Sequence, residues 1–96
     1  MKMLLIICPE TRQDELRDLI ARHDVHAYSE LKNVLGEGKT GKKMDTQIWP
    51  EKSILIFTVV GENKSKELLS ALQDFQKQLY KEEGFRVFAL PAESVI

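Results

Sequence analysis

The sequence predicts an α+β fold. It is a ferredoxin-like β-α-β-β-α-β sandwich: an antiparallel four-stranded sheet with two helices on one face. Three observations lead there. Two short, continuous apolar runs, KMLLIIC (residues 2–8) and SILIFTVV (53–60), read as strands buried on both faces. Each run precedes a segment with apolar residues at helical spacing, and each helix precedes a shorter stretch of mixed polarity that reads as an edge strand. The 96 residues are enough for one domain, residues 1–96, and few enough that assembly often supplements the core.

The elements follow in order. Pro9 stops the first strand. Thr11 and Asp14 form a helix-start pair. Leu16, Leu19 and Ile20 follow at helical spacing, and the helix is expected to end near His23. VHAYSELK (25–32) alternates, with Val25, Ala27, Ser29 and Leu31 on one face and His26, Tyr28 and Glu30 on the other. A polar, glycine-rich interval (36–47) leads to the second apolar strand. Gly61 and Asn63 open a long helix carrying Leu68, Leu69, Leu72, Phe75 and Leu79, which Gly84 is placed to end. FRVFAL (85–90) is the last strand. In this plan strands 1 and 3 lie in the middle of the sheet and strands 2 and 4 at its edges.

That arrangement sets a physical problem. Two helices cover one face of a sheet, yet Leu4 and Ile6 point opposite to Leu5 and Ile7, and all four are apolar. Ile54 and Ile56 likewise oppose Leu55 and Phe57. The second face therefore calls for a cover, and with no third layer in the chain the expected cover is another subunit. The alternative is an open apolar face of moderate size.

Composition narrows the function classes. Hydrophobic residues make up 43% and charged residues 30%, which supports a core and argues against long disorder. Fourteen basic and fifteen acidic side chains nearly cancel, so no global charge selects nucleic acid or a membrane surface. Cys8 is the single cysteine, which excludes an internal disulfide and suits a reducing compartment. The apolar start is too short to span a bilayer, and Pro9 and Glu10 end it before a signal-peptide core develops. The expectation is a cytoplasmic protein with no membrane insertion.

GEGKTGKK (36–43) nearly matches the phosphate-binding pattern G-x-x-x-x-G-K-[ST]. A true P-loop joins a strand directly to a helix, so that backbone N–H groups converge on phosphate. Here MDTQIWPEKS follows, Pro50 and the next strand leave no room for an ordinary helix, and Lys43 stands where a Mg²⁺-binding hydroxyl is needed. The ATPase reading fails. The segment still has anion-binding chemistry. Gly36, Gly38 and Gly41 permit backbone geometries that expose N–H groups, Lys39, Lys42 and Lys43 supply charge, and Thr40 adds a hydroxyl. A solvated hairpin tip whose glycines only permit turning is the competing reading, and both stay open at this point.

Over its whole length the chain resembles the PII-like signalling proteins. Four features carry the resemblance: the element order with CP after strand 1, VLGEGKTG where strand 2 enters the long loop, KSILIFTVV after it, and the ending FRVFALPAESVI. The resemblance implies a homotrimer with its sheets packed inward. It also implies a small-molecule effector, usually an adenine nucleotide, in clefts between subunits. The loop, residues 36–50 here, would contact a regulated partner such as a membrane transporter or an enzyme. Gly36 and Gly38 match the family's cleft-lining glycines. Three departures weaken the match at the phosphates. The connection between helix 2 and strand 4 is only KEEGF, the residues after strand 4 carry no basic side chain, and no tyrosine occurs within 36–50. These features resemble the divergent PII-like branches.

Other residues carry chemistry of their own. Cys8, His23 and His26 are soft metal-ligand types, and the similarly folded CutA metal-tolerance trimers make a metal site an alternative. The simpler reading is a helix-end His23 that suits the helix dipole and an exposed His26. Trp49, before Pro50, is expected to anchor the returning arm of the loop. Glu82 and Glu83, on a helix end, are expected to be solvated, like the charged face of helix 2. No catalytic set is visible, and the protein is expected not to be an enzyme. The leading reading is a ligand-sensing regulator. A CutA-like metal-binding protein and an adaptor without a ligand are the alternatives.

Overall fold

The computed structural model describes residues 1–35, 52–80 and 83–96. Four strands and two helices occur in the expected order: β1 (Lys2–Pro9), α1 (Gln13–Arg22), β2 (Ser29–Leu35), β3 (Lys52–Val60), α2 (Glu62–Gln76) and β4 (Arg86–Pro91). The strands form one antiparallel sheet in the order β2-β3-β1-β4. The two continuous apolar strands are thus its centre, as their sequence requires. Both helices lie on one face. Their buried residues, Leu16, Leu19 and Ile20 on α1 and Leu68, Leu72 and Phe75 on α2, meet Leu4, Ile6, Cys8, Ile54 and Ile56. Among the described residues no helix is long and apolar enough to cross a membrane.

Boundaries differ from expectation where tertiary contacts outweigh local signals. β2 starts at Ser29, not Val25. Asp24 takes a left-handed turn (φ 61°) that carries Val25 down into the core, while Leu31 lies on the other side of the sheet. The expected common face of Val25 and Leu31 therefore does not form. Thr58 holds the intervening segment by donating its hydroxyl to the Ala27 carbonyl at 2.8 Å.

The start of α1 also differs. A 3₁₀ turn, Glu10–Arg12, leads into it from Pro9, and Thr11 and Asp14 make no side-chain cap. The Gln13 N–H donates to the Glu10 carbonyl instead, so the tighter turn satisfies a donor that a cap would have served. Its end at His23 is as expected.

α2 stops at Gln76, and Leu79 sits in the turn beyond it. Gly84 does not cap the helix and has no positive φ. Phe85, placed in the last strand by the sequence reading, precedes β4 and is buried edge-to-face against Phe75, with ring centroids 5.3 Å apart.

Candidate functional site

Strand direction decides what the fold brings together. β1 and β2 are both antiparallel to β3, so they run the same way. Their ends, Pro9 and Leu35, lie at one edge of the sheet with the starts of β3 (Lys52) and β4 (Arg86). The 3₁₀ turn after β1 and the connection from α2 to β4 close the same end. β2 ends there at Leu35, opposite Lys52, where β3 begins. The sequence-derived ligand residues Gly36, Gly38, Lys39, Thr40, Gly41, Lys42 and Lys43, and Trp49, fall outside the described residues.

The described part of this end is organised by Arg12. Its guanidinium donates twice to the Glu83 carboxylate, through Nε to Oε1 and Nη2 to Oε2, both at 2.9 Å. It also reaches Glu15 at 3.3 Å and lies 6.0 Å from the centre of the Tyr80 ring. Glu83 further accepts the Tyr80 backbone N–H at 2.9 Å. The paired guanidinium first, and that N–H second, hold the Glu83 carboxyl below its ordinary value. Glu83 is therefore not the solvated helix-end carboxylate expected from sequence, while Glu82 lies outside the described residues. Glu83 is a half-buried anchor, because the chain after Gln76 turns back over Arg12 and brings together residues 71 positions apart. The pairing fixes the short connection to the β1–α1 corner.

Cys8 lies beneath this corner, fully buried. Burial first, then the Glu83 and Glu15 carboxylates, push its thiol up to about 12. It stays protonated at neutral pH and is a core residue, not a nucleophile. Cys8, His23 and His26, the three residues of the metal alternative, are not brought together. Cys8 lies near the end of β1, just before Pro9, whereas His23 caps α1, which runs back to the opposite end of the sheet. His23 Nδ1 is 2.6 Å from the Glu67 carboxylate, and His26 is exposed beside Asp24. Among the described residues no group of three or more His, Cys, Asp or Glu side chains is arranged to hold a metal.

The sheet face without helices is the second feature. Strand pairing lines up Phe57, Leu5 and Phe88 in one row, Leu31, Leu55 and Ile7 in the next, and Val59, Met3 and Leu90 in a third. Phe88 is 50% exposed, Leu31 51% and Val59 47%, values foreign to core strands. At the β2 side of this face is a shallow depression of about 450 Å³, lined by Met3, Tyr28, Ser29, Phe57 and Val59 among others. A similar hollow between the helices carries Glu15, Asp18 and Arg22 and lies on the helix side of the sheet.

Among the features that escaped the sequence reading are the Arg12–Glu83 fork and a β-bulge at Asn33. The fork has no local signal, since its partners are far apart in the chain. The bulge has a faint one, an asparagine inside an otherwise strand-like LKNVL.

Comparison with known proteins bears directly on these features. The family model described as nitrogen regulatory protein P-II matches residues 1–96. Nothing among curated protein sequences matches. Among solved structures, CPII from Thiomonas intermedia K12 bound to ADP, AMP and acetate is 26% identical, with a TM-score of 0.70, covering 93% of this chain and 82% of that one. The apo form of CPII, a nitrogen regulatory PII-like protein, is 24% identical with a TM-score of 0.67, covering 92% and 84%. A PII-like signaling protein from Thermus thermophilus is 21% identical with a TM-score of 0.61, covering 92% and 82%, a likeness of fold. With its family match spanning the whole length and its sheet built in the order described above, the chain belongs to the nitrogen regulatory protein P-II family.

Proposed function

We propose that this protein is a regulatory protein rather than an enzyme. In this reading it is a homotrimer that binds a small effector, with an adenine nucleotide as the candidate, at clefts between subunits. It signals to a regulated partner, a membrane transporter or an enzyme, through residues 36–50. The observation that carries the reading is the P-II family match over residues 1–96 on a sheet that keeps one apolar face uncovered. Rows of Leu, Ile, Val and Phe side chains left half-exposed favour association, at roughly 25 cal/mol per Å² of apolar surface removed from water.

The effector class is supported by CPII, described as bound to ADP, AMP and acetate. The residues present suit such a group in part. Lys52 and Arg86 place positive charge at the loop end of the sheet, which suits phosphates. The remaining phosphate donors of this reading are Gly36, Gly38, Lys39, Thr40, Gly41, Lys42 and Lys43, all outside the described residues. Such an effector would supply no chemistry of bond-making. It would bias the loop between arrangements by differential affinity.

The test is a thermal-shift series with ADP, AMP and ATP, each with and without bicarbonate or divalent metals, beside light scattering of the free protein. A ligand at about one hundred times its Kd stabilises the folded form by about 2.7 kcal/mol, which for a chain of this size is a Tm rise of about 10 °C or more. A trimer that responds to an adenine nucleotide is the expected result. A monomer at micromolar concentration overturns the intersubunit cleft, and a response to metal alone favours the metal-binding alternative.

A further inference from the structure

The pairing of β2 with β3 slips between Leu31, opposite Leu55, and Val34, opposite Ser53. Lys32 and Asn33 thus stand against Ile54 alone, one residue too many for regular pairing. Asn33 has φ 58°, in the left-handed region, which asparagine tolerates better than most residues with a side chain. An extra residue of this kind exchanges the faces taken by every side chain after it. Ser53 alternates with the buried Ile54 and so shares the open face with Leu55 and Phe57; its partner Val34 lies there too. Leu35, opposite Lys52, takes the other face. In regular pairing Asn33 would meet Ser53, a polar amide would enter the apolar face, and Val34 would turn away from it.

We propose that Asn33 is a positioning residue for self-association. Its left-handed bulge turns Val34 onto the open sheet face, where Val34 extends the surface that a second copy of the chain covers. The occupant is a second copy because each of the four strands places apolar side chains on the face, with Ser29, Ser53 and Arg86 as its polar positions, and an identical face supplies the same near-absence of charge. This rests on the assembly reading above.

The test is a set of four variants followed by light scattering over a concentration series, with far-UV circular dichroism as the folding control. Val34→Asp places a carboxylate in the interface and is expected to weaken association more than about tenfold, whereas Leu35→Asp, one residue on, is expected to change it less than about threefold. Asn33→Gly keeps the left-handed backbone and is expected to assemble like the parent. Asn33→Thr, which favours regular strand geometry, is expected to weaken assembly while leaving the helices folded. A parent protein that is monomeric overturns both the assembly reading and this one. A parent that assembles, with Val34→Asp and Leu35→Asp equal in effect or reversed, overturns the role of Asn33 and leaves the assembly reading standing. If Asn33→Thr does not fold, the Val34 and Leu35 pair still decides.

Discussion

The two faces of the sheet come from the same strands and are almost equally apolar, yet they have opposite fates. On one face Leu4, Ile6, Ile54 and Ile56 are wholly buried beneath α1 and α2. On the other, Leu5, Leu55 and Phe57 remain partly open, and Phe88 and Leu90 are exposed. Identical chemistry is buried by folding in the first case and left open to solvent in the second. The difference teaches that burial by a chain's own helices cannot be inferred from hydrophobicity alone. It depends on how many layers the chain has available.

Four predictions bear on this contrast. The largest effect is expected on the helix side. Ile56→Ala removes methyl groups from a fully buried position and leaves a cavity, at a cost of about 2–5 kcal/mol, so chemical denaturation is expected to show a loss of that size. A loss below about 1 kcal/mol would mean that this face is not the packed one. Next in size is Phe57→Asp on the open face. It is expected to dissociate the assembly while the monomer keeps its helical circular dichroism, separating association from folding. A variant that stays assembled would remove the open face from the interface.

The third effect is smaller and depends on pH. Glu30 is a polar exception on the helix side, held by the fork of Arg17, whose Nε donates to it at 3.0 Å. That hydrogen bond, with the guanidinium charge adding to it, holds the Glu30 carboxyl below its ordinary value of 4.5. A depressed carboxyl stabilises the fold above the unfolded value, and that contribution is lost as pH falls through the lower folded value. Glu30→Gln is therefore expected to lower Tm by a few degrees at pH 7 and by progressively less below pH 4.5. An unchanged gap between the two proteins down to the acid limit would show that the pair contributes nothing through charge.

The smallest effect concerns the segment between the edge strand and the centre. Changing Lys39, Lys42 and Lys43 together to Ala is expected to weaken nucleotide binding several-fold at low salt, less at high salt, and to leave association intact. Equal binding by parent and triple variant, read by calorimetry, would make these lysines docking charges for a partner instead.

Much of this molecule is readable from local pattern. KMLLIIC and SILIFTVV are apolar on both faces at nearly every position, Thr58 being the buried exception, so the central strands and the uncovered face follow from them. Helical spacing on Leu16, Leu19 and Ile20 is equally local. Resemblance in VLGEGKTG and its neighbours points to the family, though the residues that would hold the effector lie in 36–43, outside the described residues.

What only the tertiary structure decided are features with distant partners. The left-handed Asp24 drops Val25 into the core ahead of β2 because the core under α1 has room for it, a fact no window of sequence contains. Glu83 becomes an anchor because Arg12, 71 residues earlier, waits at the same end of the sheet. Asn33 bulges because β3 supplies one residue where β2 brings two. Periodicity reports how a segment could bury one side of itself. Which side is covered, and by what, is set by contacts between segments, and their energies enter only once the chain has closed on itself.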